Sequence, residues 1–399
     1  MNTKQKKIFI FLFFFNILVL SLELISLSTI FPIIYSLNND LALLDKYHFL
    51  NEILRIFSEY SLHPATLFLF VLAVVIILKN IILAFYTFIE SKFIFETQEQ
   101  ISSNLFSNLI NKNYAYHVAN NSADLITRVR TDGLMIREVI YSFHKLLKSV
   151  FFLTSIFFFL LFIDPLGFLL STTTFIFIGL LFYGYTSRRI SNLGEARQKV
   201  EIERTQKLQE SFGGIKDIKT FLKNNIFIER YDDLAKTIAK VYSTRDFLAK
   251  LPRIFLEVLI VIVVTLFTIF LLSQSRENSE IIAILSVFGL TSMKALPYMS
   301  NLLISINSLK FSKKAVDYYS DNIKLPKKSE ELDSNSFDSQ YLKKIEFKKV
   351  SFKYPNQNHF VFNDVNFKFE IGDKIEIKGP TGVGKSTLID IILGLQKTS

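Results

Sequence analysis

"GPTGVGKSTLIDIILGL", residues Gly379–Leu395, begins as a glycine-rich loop and continues as an apolar segment with helical spacing. Its first eight residues, Gly379–Ser386, fit the pattern G-x-x-x-x-G-K-[ST] in full. The preceding segment, DKIEIKG, alternates apolar and charged residues and predicts a strand. The motif therefore lies between a predicted strand and a predicted helix, which is the context in which such a loop binds the phosphates of a nucleotide.

The loop offers three kinds of contact to a phosphate chain. Glycines let consecutive backbone N–H groups turn inward, and a helix that begins near Lys385 adds the positive end of its dipole. Lys385 can reach the β- and γ-phosphates, and the Ser386 hydroxyl can ligate Mg²⁺. The alternative is a glycine-rich turn that binds nothing. The predicted nucleotide-binding residues of the loop are Gly379, Pro380, Thr381, Gly382, Val383, Gly384, Lys385, Ser386 and Thr387, with Ser386 as metal ligand.

Short strands are predicted upstream of the loop. KIEFKKVSFKY, DVNFKFEI and DKIEIKG alternate in polarity and are separated by Pro, Asn and Gly-Asp turn signals. Before them, residues 321–343 are polar and charged, which is the composition of a linker. We therefore predict a membrane domain at 1–320, a linker at 321–343 and the N-terminal part of a nucleotide-binding domain at 344–399.

The chain has the composition of a membrane protein. Half of its 399 residues are hydrophobic, 42 are Phe, and the mean hydropathy is +0.32. The first apolar run continues for about 27 residues without a small-residue cleavage site, so we interpret it as a retained span. Five more stretches have the length of a bilayer-spanning helix, at about 66–89, 146–163, 166–186, 252–273 and 281–306.

The charges predict the topology of these six spans. Lys4, Lys6 and Lys7 place the N-terminus in the cytoplasm, and an even number of spans returns the C-terminus there. The inner loops carry apolar residues at four-residue spacing, so the spans are expected to continue into the cytoplasm as long helices. The excess of ten basic residues fits such loops, and no nucleic-acid partner is expected. The absence of cysteine excludes disulfides and thiolate metal sites.

Charged residues stand inside the predicted spans. Lys79 and Lys294 are expected at similar depth, with Glu257 about one turn deeper and Arg253 and Lys148 nearer the inner surface. Each such charge costs about 2.5 to 3.5 kcal/mol on insertion scales, so these residues should face a wet cavity or pair with one another. One interpretation is a basic cavity for an anionic headgroup. The other is a Lys–Glu pair that only holds helices together.

Taken together, these features resemble the half-transporters of the ABC exporter family. Tyr354, 25 residues before Gly379, stands where that family has an aromatic residue that stacks on adenine. NSADLITRVRTD resembles the family pattern after the first coupling helix, with Ala123 in place of the usual glycine, and ESFGGIKDIKTF resembles the pattern at the second. Arg128 and Asp132 would be i, i+4 partners.

The resemblance implies a mainly α fold, with a six-helix exporter membrane domain followed by the start of an α/β P-loop domain. It also implies ATP and Mg²⁺ as cofactors and a homodimer that sandwiches ATP. LPRIFLE, KALPYMSNLLISI and GKSTLIDIILGL are most similar to bacterial flippases of lipid-linked oligosaccharides, which implies an amphipathic, lipid-linked substrate. The Lys, Asn, Ile and Phe bias places the protein in a bacterial cell (inner) membrane.

The chain also departs from the family pattern. The Q-loop glutamine, the signature motif, the acidic strand with its catalytic Glu and the switch His do not follow the loop within residues 1–399. Phosphoryl transfer needs a residue that positions water, so no catalytic residue is predicted, and this chain alone is expected to bind ATP weakly and not to hydrolyse it. The alternative function is a truncated, non-hydrolytic membrane protein that is inert or regulates a full-length partner.

Overall fold

A computed structural model describes residues 3–37, 64–274, 278–322, 344–354 and 359–396. The described chain is mostly helical and ends in a short β-hairpin and a helix. The helices of the N-terminal part are α1 Thr3–Ser28, α2 Ile30–Leu37, α3 Pro64–Ile110, α4 Tyr114–Ala119, α5 Ser122–Thr127, a π-helical turn Arg128–Asp132, α6 Gly133–Ile163, α7 Pro165–Gly213, α8 Ile215–Thr220, α9 Asn224–Ser273, α10 Asn278–Phe311 and α11 Lys313–Asn322. The C-terminal elements are β1 Lys344–Phe352, β2 Phe362–Glu370 and α12 Lys385–Ile392.

Within the described part of the chain, six helical segments are long and apolar enough to cross a membrane. They are Thr3–Ile34, Ala65–Ile110, Ser122–Leu161, Gly167–Gly213, Asn224–Ser273 and Ile281–Phe311. The predicted number of spans is therefore confirmed. The first segment is interrupted at Thr29, where α1 ends and α2 begins. Pro32 explains this break, because it has no N–H to donate to the Ser28 carbonyl and its ring crowds that turn.

Three helices extend far beyond the thickness of a bilayer. α3 has 47 residues, α7 has 49 and α9 has 50. At 1.5 Å per residue each is roughly 70–75 Å long, more than twice the ~30 Å hydrocarbon core. The predicted helical extensions of the spans are present, and the short helices α4, α5 and α8 lie at their ends.

The core of the membrane domain joins α1, α6, α9 and α10. Leu20, Phe152, Leu256 and Phe288 are buried members of its largest apolar cluster. Outside this cluster, α7 approaches the end of α10 closely at Gly194. A Cβ on Gly194 would lie 2.3 Å from the Phe311 carbonyl oxygen, so this helix contact requires glycine.

The C-terminal segment contains two of the three predicted strands. β1 and β2 pair antiparallel, with Lys344 opposite Glu370 and Phe347 stacked on Phe367 at 4.2 Å between ring centroids. The prediction of a third strand over DKIEIKG is wrong for the described structure, because residues 373–380 have no assigned secondary structure. A strand is defined by its ladder partner, and the sheet among the described residues pairs only β1 with β2.

Candidate nucleotide and substrate sites

Two glycines give the phosphate-loop motif its backbone shape. Gly382 has φ +91° and Gly384 has φ +99°, in the left-handed region that side chains with a Cβ rarely adopt. A Cβ on Gly384 would also lie 2.6 Å from Cγ1 of Val361. α12 begins directly after Gly384, so the loop leads into a helix N-terminus as the motif predicts.

The loop lines one side of a cavity of about 570 Å³, and the residues around the start of β2 line the other. The lining residues are Tyr354, His359, Phe360, Val361, Thr381, Gly382, Val383, Gly384, Lys385, Ser386 and Thr387. Its volume lies within the range of cofactor sites, roughly 300–1,000 Å³. The Tyr354 hydroxyl lies 2.9 Å from Oγ1 of Thr387. The structure therefore brings the predicted adenine-stacking tyrosine to the rim of the predicted phosphate loop.

Lys385 folds back over the loop. Its Nζ donates to the carbonyl oxygens of Gly379 at 2.6 Å and Pro380 at 2.9 Å. A phosphate would replace these two carbonyls as the partner of the ammonium group. Among the described residues no group of three His, Cys, Asp or Glu side chains could hold a metal ion. A Mg²⁺ ion at this loop would therefore depend on the Ser386 hydroxyl and the phosphates themselves, in the way Mg²⁺ usually binds.

The two predicted intramembrane lysines meet on one carboxylate. Lys79 Nζ of α3 lies 2.6 Å from Glu23 Oε2, and Lys294 Nζ of α10 lies 2.5 Å from Glu23 Oε1. The expectation that both lysines lie at similar depth agrees with this geometry. The side chains of Glu23 and Lys79 are 11% and 13% exposed, and that of Lys294 is 35% exposed. This Lys79–Glu23–Lys294 cluster joins α1, α3 and α10 and has more positive than negative charge.

Arg253 and Glu257 lie elsewhere. They pair with one another along α9, with Nε 3.3 Å from Oε1, and their side chains are 62% and 55% exposed. Next to them is an apolar groove between α7 and α9, lined by residues such as Phe182, Phe255 and Val258. Glu23, and not Glu257, is the carboxylate that the lysines share. The signal that could have identified Glu23 is its position in the middle of the first apolar run.

A second buried cluster of charges lies where α7 meets the π-helical turn. Arg197 Nη2 lies 2.8 Å from Asp132 Oδ1, and Gln198 Nε2 donates to Asp132 Oδ2 at 3.0 Å. The predicted pair of Arg128 and Asp132 is present at 3.3 Å, and Arg128 also bonds Asp124 at 3.0 Å. The sequence pattern identified Arg128 and Asp132 but gave no sign of Arg197.

Tyr319 of α11 also contacts this cluster, through the backbone of the π-helical turn. Its hydroxyl donates to the backbone carbonyls of Arg128 at 3.1 Å and Val129 at 3.4 Å, within the π-helical turn. Such turns shift the regular helical hydrogen bonds, so carbonyl groups there need other donors. Burial raises the pKa of Tyr319 to about 12. Tyr319 thus attaches α11, the last helix described before β1, to the π-helical turn.

The second coupling-helix motif forms α8 and its flanks. The apolar side chains around it are exposed, with Phe212 at 72%, Phe221 at 68% and Leu222 at 82%. The structure therefore has a short helix with exposed apolar residues between α7 and α9, where the pattern ESFGGIKDIKTF predicted a coupling helix.

The described chain has six candidate spans with helical extensions, and a glycine-rich loop that follows the C-terminal hairpin and leads into a helix. These are the features of an ABC-type membrane protein. Residues 8–294 match the family described as "ABC transporter transmembrane region", and residues 362–399 match the family described as "ABC transporter". The chain belongs to the family of ABC transporter transmembrane regions. The nucleotide-binding family that its C-terminal residues match implies ATP binding, usually with Mg²⁺.

Known relatives are distant in sequence. The Lacticin-481/lactococcin-DR transport/processing ATP-binding protein of Lactococcus lactis subsp. lactis is 25% identical over 313 residues, which cover 75% of this chain and 42% of that protein. A putative export ATP-binding/permease protein of Rickettsia bellii (strain RML369-C) is 26% identical over 338 residues, 80% of this chain and 56% of that protein. The chain thus spans about half the length of these relatives.

Among solved structures, a bacterial Atm1-family ABC exporter with ATP bound superimposes with a TM-score of 0.72 and 14% sequence identity. The match covers 100% of this chain and 67% of that chain. At this identity the likeness shows the fold alone, and it confirms the predicted exporter architecture.

Proposed function

We propose that this protein is part of a dimeric ABC exporter that uses ATP to export or flip an amphipathic, lipid-linked molecule with an anionic headgroup. The observation that carries this proposal is the Lys79–Glu23–Lys294 cluster. Among the described residues, two ammonium groups share one carboxylate, which leaves one positive charge without a counter-charge among apolar helices. Each charge there costs about 2.5 to 3.5 kcal/mol on insertion scales. A phosphate or pyrophosphate headgroup would supply the missing negative charge.

Lys294 is the member of the cluster that a headgroup could reach, because its side chain is the most exposed of the three. Arg253, on α9, would belong to the same transport route only if that route extends along the exposed face of α9. Its pairing with Glu257 leaves that face without net charge. We therefore place direct headgroup contact at Lys294, with Lys79 adding positive charge beside it, and place Arg253 and Glu257 outside this contact.

ATP would bind at the loop Gly379–Thr387. In that proposal Tyr354 stacks on the adenine, Lys385 exchanges its carbonyl partners for phosphate oxygens, and Ser386 ligates Mg²⁺. The described residues that line this cavity include no carboxylate that could position an attacking water, so in this proposal hydrolysis uses groups from outside it.

The proposed topology is a multi-pass protein of the bacterial inner membrane with both termini in the cytoplasm. Lys4, Lys6 and Lys7 lie in the first turns of α1 and are exposed, as expected for a cytoplasmic N-terminus. A homodimer is the simplest assembly for a half-transporter. The exposed apolar side chains of α7 and α9 would then face lipid or the second copy.

A second candidate is a peptide exporter. It is favoured by the similarity to the lactococcal protein, whose name refers to transport and processing of lacticin 481. The two candidates differ in the group they must recognise. A lipid-linked pyrophosphate needs the uncompensated positive charge of the lysine cluster, whereas a peptide is recognised along its backbone and side chains.

Transport in inside-out membrane vesicles of the native host tests the proposal. The vesicles are prepared from cells whose chromosomal gene is either intact or encodes Lys385→Ala. Uptake of a fluorescent lipid-linked pyrophosphate oligosaccharide is compared with uptake of a labelled peptide. The proposal expects ATP-dependent movement of the lipid-linked probe that Lys385→Ala abolishes. Movement of the peptide alone would support the second candidate and refute the first.

The lysine cluster is tested with a charge-neutral variant. Replacing one lysine would leave Glu23 poorly paired, so the variant combines Lys79→Gln, Lys294→Gln and Glu23→Gln. We expect it to keep its fold and to lose movement of the lipid-linked probe. Lys92→Ala is the matched control, because Lys92 lies on the same helix in an exposed pair with Glu96. Equal transport of the lipid-linked probe by both variants would refute the proposed headgroup site.

A further inference from the structure

His144 of α6 is a buried polar side chain without a protein partner. It is 5% exposed, and neither Nδ1 nor Nε2 has a hydrogen-bond partner among the described residues. Its ring packs edge-on against Phe9 at 5.4 Å and Phe93 at 5.5 Å between centroids. An imidazole always has at least one N–H to donate, and burying it without a partner costs about 1–3 kcal/mol. Such a group needs an explanation.

The ring borders a small cavity where α1, α3 and α6 meet. The cavity is lined by Phe9, Leu12, Phe13, Asn16, Tyr86, His144, Leu147 and Lys148. Its volume is about 20 Å³. One water molecule needs roughly 10–15 Å³ measured in this way, together with two to four polar partners. The cavity therefore has room for one water and not for a larger ligand.

Polar groups converge on this cavity from three helices. Asn16 of α1 is buried, and Tyr86 of α3 and Lys148 of α6 also line the cavity, with Lys148 one turn after His144 on the same helix. Lys148 Nζ lies 2.6 Å from Glu90 Oε2 and 4.2 Å from the centre of the Tyr86 ring, and the Tyr86 hydroxyl lies 3.5 Å from Glu90 Oε1. Donors and acceptors thus surround the space, which distinguishes it from a dry apolar void.

We propose that this cavity is a hydration site, in which one ordered water joins an imidazole nitrogen of His144 to Asn16 of α1 and to the Lys148–Glu90 pair. The water gives one imidazole nitrogen of His144 a hydrogen-bond partner. It gives α1 a polar attachment to α6, in addition to the aromatic contact of Phe13 with Phe151 at 5.3 Å between ring centroids.

The direct test is a cryo-EM structure of the full protein in a lipid nanodisc, at a resolution that shows other buried waters. The proposal expects a density peak in this cavity, roughly 2.7–3.2 Å from an imidazole nitrogen and from a second polar atom. An empty cavity would overturn the proposal. A rotated imidazole that bonds a protein group directly would overturn it as well.

Thermal unfolding supplies a second test, because the two explanations predict opposite signs. If water satisfies the imidazole, His144→Phe removes a partner from the network and lowers the melting temperature, on the order of 2 °C, and His144→Gln restores part of the loss. If the cavity is dry, His144→Phe removes an unsatisfied polar group and raises or preserves the melting temperature. Thr291→Val is the control, since the buried Thr291 hydroxyl has no described partner and does not line this cavity.

Discussion

Arg197 and Asp132 form an ion pair that is entirely closed to solvent. The distance from Nη2 to Oδ1 is 2.8 Å, and both side chains are 0% exposed. The two residues are 65 positions apart and lie on α7 and at the end of the π-helical turn. Removing one partner of such a pair leaves an uncompensated buried charge, which is far more costly than losing an exposed pair.

We therefore expect Asp132→Asn to destabilise the protein by about 3–5 kcal/mol, the range for broken buried pairs. Chemical denaturation of the purified protein in detergent measures the change. Asp124→Asn is the matched control, because Asp124 bonds Arg128 at 3.0 Å but its side chain is 24% exposed. Similar losses of unfolding free energy in the two variants would contradict the prediction that burial makes the Asp132 pair the more important one for stability.

Glu23 and Glu257 offer a second comparison inside the membrane domain. Glu23→Gln leaves Lys79 and Lys294 without a carboxylate, so we expect destabilisation of about 3 kcal/mol. Glu257→Gln breaks only an exposed i, i+4 pair with Arg253 and should cost no more than about 0.5 kcal/mol. Thermal unfolding in nanodiscs measures both variants. The inverse order would mean that Glu257 is the main counter-ion of the lysines.

Gly384 is expected to be essential for nucleotide binding. Gly384→Ala imposes φ near +99° on a residue with a Cβ and pushes that Cβ against Val361. Binding of a fluorescent ATP analogue should weaken at least about tenfold if the loop backbone holds the phosphates. Gly372→Ala is the control, because Gly372 has φ +100° but no atom within 4 Å of the added Cβ. An unchanged affinity in Gly384→Ala would argue against phosphate binding by this loop.

Tyr319 should make stability depend on alkaline pH. Burial raises the pKa of Tyr319 to about 12, whereas the pKa of tyrosine in an unfolded chain is about 10. The folded state therefore holds the proton more tightly, and the contribution is complete below pH 10 and is lost as pH rises through 10 towards 12. The difference in melting temperature between the wild type and Tyr319→Phe should shrink over that interval. A constant difference from pH 8 to 11 would contradict this account.

The membrane part of the fold could be predicted from the sequence because a bilayer imposes a one-dimensional constraint. Any helix that crosses it needs about 20 apolar residues in a row, and six such runs are readable without knowledge of contacts. The phosphate loop could be predicted for a similar reason, since all of its groups lie within Gly379–Thr387.

The features that were missed depend on distant parts of the chain. Glu23 is 56 residues from Lys79 and 271 from Lys294, and no local pattern joins them. Arg197 meets Asp132 through helix packing of α7, which spacing along one helix cannot reveal. The third strand, expected over DKIEIKG, has suitable alternation but no ladder partner among the described residues, and pairing rather than propensity decides whether a strand forms.

The uninterrupted length of α7 has a mechanical consequence. A single helix of 49 residues is ~74 Å long, and it moves as a stiff rod unless something bends it. A tilt of ~5° about one end would displace the other end by ~6 Å, about one helical turn. Small rearrangements near α8 would thus reach the far side of the bilayer as shifts comparable to the width of a side chain.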